Sequence, residues 1–268
     1  MSERDAFVFS VYEKTLQEDV ERLLLSLSEP FADPVTDVWV VCDGPISEKL
    51  RDVISSFADV GLLPYSTGRN LGLGGALQAW YEDHRCYRFI FRIDADDIYV
   101  SGRLKAQRFA LSNDPCLGAH SGSVRYIRQS RSMVRHPYSC DCFSLKTIFK
   151  SPMNHPAAAI RVSALQDVGG FPVFRTAQDI VLWHRLLRGG WKLEGSKDIM
   201  TQSVMDDDFL SRRGIRAVLV DLPAYKTVVD ECFEYKLLPV ACVLAKVFLG
   251  LVVSLVHRAI GFKSKLVK

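Results

Sequence analysis

Apolar positions along the first hundred residues follow two alternating rhythms. Phe7-Val-Phe-Ser-Val-Tyr12 is a near-continuous apolar and aromatic run of strand type, and after it Val20, Leu23, Leu24 and Leu27 recur with helical spacing across residues 19–27. Val38-Trp-Val-Val-Cys42 repeats the strand and stops at Asp43-Gly44-Pro45. Ser47 then stands where the N-cap of a helix running to about Phe57 is expected. Leu62 to Tyr65 reads as a short third strand and Gly72 to Gly75 as a glycine-rich turn. Ala76 to His84 follows as a helix of strong formers, and Tyr87 to Ile93 as a fourth strand ending in Asp94-Ala-Asp-Asp97.

Strands alternating with helices predict an α/β fold with a mixed, mainly parallel sheet flanked by helices, because parallel neighbours need a crossover and helices cover both faces. Ligands of such sheets bind beyond the carboxyl ends of the strands, so Tyr12, Asp43 and the 94–97 cluster are expected to converge on one crevice. Further on, 119–128 and 131–135 read as a hairpin and 157–162 as a strand. Gln178 to Arg188 reads as a helix whose apolar positions are Ile180, Leu182, Trp183, Leu186 and Leu187. No proline- or glycine-rich linker separates the halves.

Composition adds limits rather than detail. The chain of 268 residues is 48% hydrophobic and 24% charged, ordinary globular usage that excludes collagen-like, disordered and disulfide-scaffold classes. The net charge of +3 is too small to imply nucleic-acid binding, but it is uneven. Residues 212–268 hold ten basic and four acidic side chains, +6, which leaves −3 for residues 1–211. Seven cysteines at scattered spacings, with no signal-peptide pattern before the first strand, suggest a reducing, cytoplasmic setting. Cys140-x-Cys142 does not match the usual zinc-ligand pair spacing.

Three segments carry chemistry. Asp94-x-Asp96-Asp97 crowds three carboxylates after an apolar strand, an arrangement relieved by a divalent cation such as Mg²⁺ or Mn²⁺ or, alternatively, by solvent around a plain turn. Asp43-Gly44 is either an Asx-type turn or an acceptor for a base N–H. Arg69-Asn70-Leu-Gly-Leu-Gly-Gly75 is neither a dinucleotide fingerprint nor a Walker loop. It leads into a helix N-terminus where a diphosphate could sit, or it is a tight turn packed on the sheet.

Taken together, these motifs resemble those of the inverting family 2 glycosyltransferases with the GT-A fold, especially the short bacterial enzymes of capsular, exopolysaccharide and O-antigen synthesis. The resemblance spans about residues 6–195. It is carried by Phe9-Ser-Val-Tyr12, Val40-Val-Cys-Asp-Gly-Pro45, Asn70-Leu-Gly-Leu-Gly-Gly-Ala-Leu77, Arg92-Ile-Asp-Ala-Asp-Asp-Ile98 with Arg103-Leu104, Gly169-Gly-Phe171 and Gln178-Asp-Ile-Val-Leu-Trp183. It implies a donor nucleotide held by Tyr12, Asp43, Arg69, Asn70 and Asp94, with Mn²⁺ or Mg²⁺ on Asp96 and Asp97. It also implies Asp179 as general base, kept ionised by its place at a helix N-terminus. The acceptor side would involve His155 and Trp183. Relatives usually carry Glu where Gln178 stands. The implied reaction moves a sugar from a UDP- or dTDP-sugar to a lipid-linked oligosaccharide or growing polysaccharide. Its rivals are a non-catalytic nucleotide-sugar or glycan binding protein and a sugar nucleotidyltransferase; the latter lacks its glycine-rich basic signature near Ser10-Val-Tyr-Glu-Lys14.

Leu237 to Val256 forms a 20-residue apolar stretch broken only by Pro239, Lys246, Gly250 and Ser254. Lys246, Gly250, Ser254 and Arg258 make a polar stripe at four-residue spacing, and a mid-membrane Lys costs about 2.5–3.5 kcal/mol. The expectation is therefore an amphipathic helix lying on the membrane, with Arg258, Lys263, Lys265 and Lys268 facing anionic lipid. The chain then divides into a catalytic domain, 1–210, and a basic, hydrophobic helical extension, 211–268. Membrane contact runs through residues 237–268, at the inner face of the cell membrane.

Overall fold

In the computed structural model, residues 3–128, 131–204, 215–232, 239–245 and 247–248 are described. Four parallel strands form one half of the sheet: β1 (Asp5–Tyr12), β2 (Thr36–Asp43), β3 (Leu62–Ser66) and β4 (Phe89–Arg92), in the order β3-β2-β1-β4. Their continuous apolar runs follow from burial on both faces. Ala6, Val8, Val41 and Ile90 point into one core and Phe7, Phe9, Val38, Val40, Phe89 and Phe91 into the other.

The second core is closed by α1 (Gln17–Ser26), α3 (Glu48–Ser56) and α5 (Arg103–Asn113), through Val20, Leu23, Leu24, Leu50, Ile54, Leu104 and Leu111; α2 (Ser28–Ala32) follows α1. Ser47 caps α3 as expected, its hydroxyl accepting from Leu50 N at 3.3 Å. The first core is closed by α4 (Gly72–Asp83), whose Leu77, Trp80 and Tyr81 are buried. Residues 72–75, expected to be a turn, are the first turn of α4 itself.

β5 (Asp97–Tyr99) follows the acidic cluster, and β6 (Leu117–Arg128) forms the expected hairpin with β7 (Arg131–Arg135). After the short α6 (Leu145–Phe149) comes β8 (Ala158–Arg161), which joins β4 to β6 by antiparallel pairing on both sides. α7 (Val162–Asp167) and α8 (Gln178–Arg188) complete the first core with Ala164, Leu165, Leu182, Trp183, Leu186 and Leu187. β9 (Lys192–Val204) lies parallel to β6 and antiparallel to β5, giving a nine-stranded mixed sheet among the described residues.

Beyond it, α9 (Ile215–Cys232) packs on α8: Ala224 and Val228 meet Val181, and Arg185 makes a two-pronged ion pair with Glu231 at 2.8 and 2.7 Å. Of the expected membrane segment 237–268, residues 239–245 and 247–248 are helical, with Cys242 packed beside Ile148 and Tyr225; the rest lies outside the described residues. No helix among the described residues is long and apolar enough to cross a membrane.

Candidate functional site

A crevice of about 490 Å³ opens above the carboxyl ends of β2, β1 and β4, within the size range of small-molecule sites. Tyr12, Asp43, Asn70, Asp94 and Asp96 all line it, joined by Lys14, Asp19 and Arg175. The convergence expected of the strand ends is therefore present. Arg69 is exposed and is not among the lining residues.

Asp43 is buried and its two oxygens are engaged, Oδ1 accepting from Leu71 N at 2.6 Å and Oδ2 from Gly72 N at 2.9 Å. It thus takes the first two N–H groups at the start of α4, while Gly72 and Leu73 of that start stand on the crevice wall. The glycines of that segment serve packing. A Cβ on Gly74 would fall 2.3 Å from Pro172 O and 2.8 Å from Phe174 O, and one on Gly72 would touch Arg175. The strap 169–175 lies on this bare surface. At its start Gly170 has φ +91°, a Cβ there would fall 2.2 Å from Gln78 Oε1, and Phe171 N donates to the same oxygen at 2.6 Å. Its far end carries Arg175 into the crevice, where Nη2 donates to Asn70 Oδ1 at 3.0 Å. Sequence reading missed Arg175; its one signal is its place four residues after the Gly169-Gly-Phe171 motif.

The acidic cluster divides. Asp94 Oδ1 accepts from Arg92 Nη2 at 3.2 Å, and the guanidinium, wholly buried, also donates to Val8 O at 2.7 Å. Burial pushes the Asp94 carboxyl up to about 6; Arg92 and Arg103 oppose the rise, while the charges of Asp96 and Asp179 add to it. Asp96 is exposed at the crevice wall. Asp97, expected beside them on the metal, instead enters β5. It is buried, accepts a hydrogen bond from the Ser203 hydroxyl, and is not among the lining residues. Burial and the neighbouring Asp94 and Asp96 hold its carboxyl well above the usual range.

Asp179 stands in the first turn of α8, half-buried and outside the lining, yet close enough for its charge to act on Asp94. Burial raises its carboxyl; the Arg135 guanidinium and backbone N–H groups of the helix start oppose the rise without cancelling it. The helix start favours the ionised carboxyl, as its place in the sequence suggests, but desolvation outweighs that pull. Gln178 beside it is buried, where a second carboxylate would repel Asp179. Ala177, just before, has φ +55°, the sole non-glycine with positive φ among the described residues.

His155 and Trp183, expected on the acceptor side, are core residues packed edge to face at 6.0 Å, and neither lines the crevice. Burial pushes the His155 imidazole well below its usual value, and Trp183 Nε1 and His155 Nε2 have no hydrogen-bond partner among the described residues.

Among the described residues no group of three His, Cys, Asp or Glu side chains forms a preformed metal cage. The pair Asp94 and Asp96 nevertheless fits a hard divalent cation. Mg²⁺ and Mn²⁺ sites commonly take one or two carboxylates and complete their shell with phosphate and water, and the mutual repulsion of this pair is the charge such an ion offsets.

No family model matches the chain. It is 26% identical over 224 residues to the amylovoran biosynthesis glycosyltransferase AmsE of Erwinia amylovora, covering 82% of this chain and 83% of the relative. It is 23% identical over 183 residues to the UDP-Gal:alpha-D-GlcNAc-diphosphoundecaprenol beta-1,3-galactosyltransferase of Escherichia coli, 66% of each. Among solved structures it resembles the mannosyltransferase PcManGT from Pyrobaculum calidifontis in complex with GDP-Man and Mn²⁺, with a TM-score of 0.65 at 16% identity, over 91% of this chain and 68% of that one.

Proposed function

We propose that this chain, a glycosyltransferase by its relatives and by its GT-A fold, is an inverting, divalent-metal-dependent enzyme of family 2 type in bacterial polysaccharide synthesis. Its donor is a nucleoside-diphosphate sugar, UDP- or dTDP-linked, and its acceptor a lipid-linked oligosaccharide or growing polysaccharide. The observation that carries this reading is the crevice, in which Tyr12, Asn70, Asp94 and Asp96 face one another above adjacent strand ends.

In this reading Tyr12, Asp43 and Asn70 take the nucleoside end, and Asp94 and Asp96 hold Mn²⁺ or Mg²⁺. When bound, the cation supplies positive charge to the departing diphosphate. The acceptor hydroxyl oxygen bonds to the anomeric carbon as the bond to the diphosphate oxygen breaks, and the hydroxyl proton passes to the Asp179 carboxylate. One displacement inverts the centre. The raised basicity of Asp179 suits this role, because a base whose proton affinity lies nearer neutrality accepts the proton with more driving force.

Residues 1–210 make the catalytic unit, and the extension 211–268 brings it to the inner face of the cell membrane through residues 237–268. The alternative, a binding protein without turnover, is favoured by the amide at Gln178. One experiment separates them: thermal unfolding with UDP or dTDP and Mn²⁺, for the native chain and for Asp96→Ala and Asp179→Asn. Binding at about 100 times Kd adds roughly 2.7 kcal/mol to the native state. An enzyme loses this shift in Asp96→Ala, whereas in Asp179→Asn it keeps the shift and loses turnover. Absence of any nucleotide-dependent shift in the native chain refutes the donor site, and a shift without turnover on any donor sugar leaves the binding protein.

A further inference from the structure

The crevice is polarised along the sheet. Asp94 and Asp96 stand just past the end of β4; Asp43 ends β2, with β1 between them. Two strand spacings, about 9–10 Å, separate the two ends. At the β2 end the lining cation is Arg175, brought there by the strap that the bare glycines of α4 admit. Asn70 fixes it: the Asn70 amide donates to Asp43 O at 3.5 Å and its Oδ1 accepts from Arg175 Nη2 at 3.0 Å. A guanidinium carries five N–H donors and no acceptor, and this hydrogen bond uses one.

We propose that Arg175, braced by Asn70, reads the keto edge of the donor's nucleobase and so selects uracil, thymine or guanine nucleotides over cytosine and adenine ones. The inference rests on the crevice being the donor site. If the diphosphate lies with the metal at Asp94 and Asp96, the ribose occupies the middle of the crevice and the base reaches the β2 end. Asp43, which also lines this end, can only accept, so it suits a base N–H and cannot meet a base carbonyl. Arg175 can only donate. It matches O4 of uracil and thymine or O6 of guanine, and it is mismatched to the amino groups that cytosine and adenine present at those places.

The test is calorimetric binding of UDP against CDP, and of GDP against ADP, with Mn²⁺, to the full chain and to Arg175→Ala and Arg175→Lys. Arg175 is exposed, and an unfolding midpoint equal to that of the native chain checks that each variant is folded. The expected result is a native preference for the keto base that falls about tenfold in Arg175→Ala, with the affinity for the amino-base partner unchanged. Arg175→Lys recovers part of the preference, since it keeps a donor but loses the fork. An equal loss for both members of a pair makes Arg175 a phosphate contact and overturns the inference while leaving the donor site standing. An unchanged preference overturns it too. If no nucleoside diphosphate binds the native chain, the donor-site reading itself fails and this inference falls with it.

Discussion

Arg103 offers the sharpest test of how the site is held. Its side chain is buried with no carboxylate bonded to it among the described residues, and its donors are spent on Gln107 Oε1 at 2.9 Å, Pro156 O at 3.1 Å, Thr201 Oγ1 at 3.0 Å and Ala158 O at 3.3 Å, as well as on Arg92 O. One guanidinium thus ties α5 to the end of β4, the start of β8 and β9, the frame from which Asp94 and Asp97 project. Arg103→Met keeps the stem and deletes every donor. It takes their Arg103 donor from Arg92 O, Ala158 O and Gln107 Oε1, at about 1–3 kcal/mol for each group left unsatisfied, while Pro156 O keeps the Thr201 hydroxyl at 3.2 Å, and the relief of the buried charge returns part of the loss. A net loss of roughly 3–5 kcal/mol follows, or a fall in Tm of roughly 6–20 °C at about 2–4 °C per kcal/mol. Arg103→Lys keeps the charge with three donors and should lose roughly half as much. The assay is thermal unfolding by circular dichroism, repeated in urea. A Tm for Arg103→Met within 2 °C of the native chain, where roughly 6 °C is the least expected, would refute the argument. Full recovery by Lys would show that charge, rather than the fork, is what the frame needs.

Four further outcomes follow from particular contacts. Asp43→Ala removes the cap on Leu71 and Gly72 and should cost about 1–2 kcal/mol in chemical denaturation, with nucleotide affinity falling as the α4 start loosens. Ala177→Gly frees a left-handed residue whose strain is about 1–2 kcal/mol and should leave Tm equal or higher despite the entropy cost of glycine, whereas Ala177→Val should lower it. The acid limb of kcat should lie above the ordinary carboxylate range because burial raises Asp179. Arg135→Gln should move that limb upward, since it removes the cation that favours the ionised form; a downward move contradicts the assignment. His120, buried and pushed down to about 4, stays neutral in the fold while the unfolded chain protonates near 6.5. Its contribution is therefore intact above about pH 6.5 and is lost as pH falls towards 4, amounting to about 3 kcal/mol, and His120→Gln should flatten that part of the stability–pH curve.

What the sequence made legible was whatever depends on neighbours along the chain. The two-sided strands announce themselves as unbroken apolar runs, Ser47 sits three residues before the amide it caps, and α8 begins and ends where its periodicity does. β9, Lys-Leu-Glu-Gly-Ser-Lys-Asp over its first seven residues, has no alternation to read; it is a strand because β6 and β5 lie beside it. The inward turn of Asp97 is hidden for the same reason. Next to Asp96 it reads as one of a trio of ligands, and only pairing with Ser203, more than a hundred residues away, turns it inward.

The glycines of α4 carry this argument furthest. In the sequence Gly72, Gly74 and Gly75 signal a backbone that something approaches closely, and a phosphate is one body that could do so. The structure supplies another, the main chain at Pro172 and Phe174, and so converts an apparent ligand cradle into the seat of a strap. Arg175 on the strap then faces the crevice together with Gly72 and Leu73 of the helix start. Enlarging the seat's floor should therefore act at a distance. Gly74→Ala places a methyl 2.3 Å from Pro172 O, a separation the strap must open by shifting. Nucleotide affinity should fall in Gly74→Ala as it does in Arg175→Ala, although the helix gains a better former. If Gly74→Ala stabilises the chain and binds nucleotide as the native protein does, the strap is not what those glycines serve.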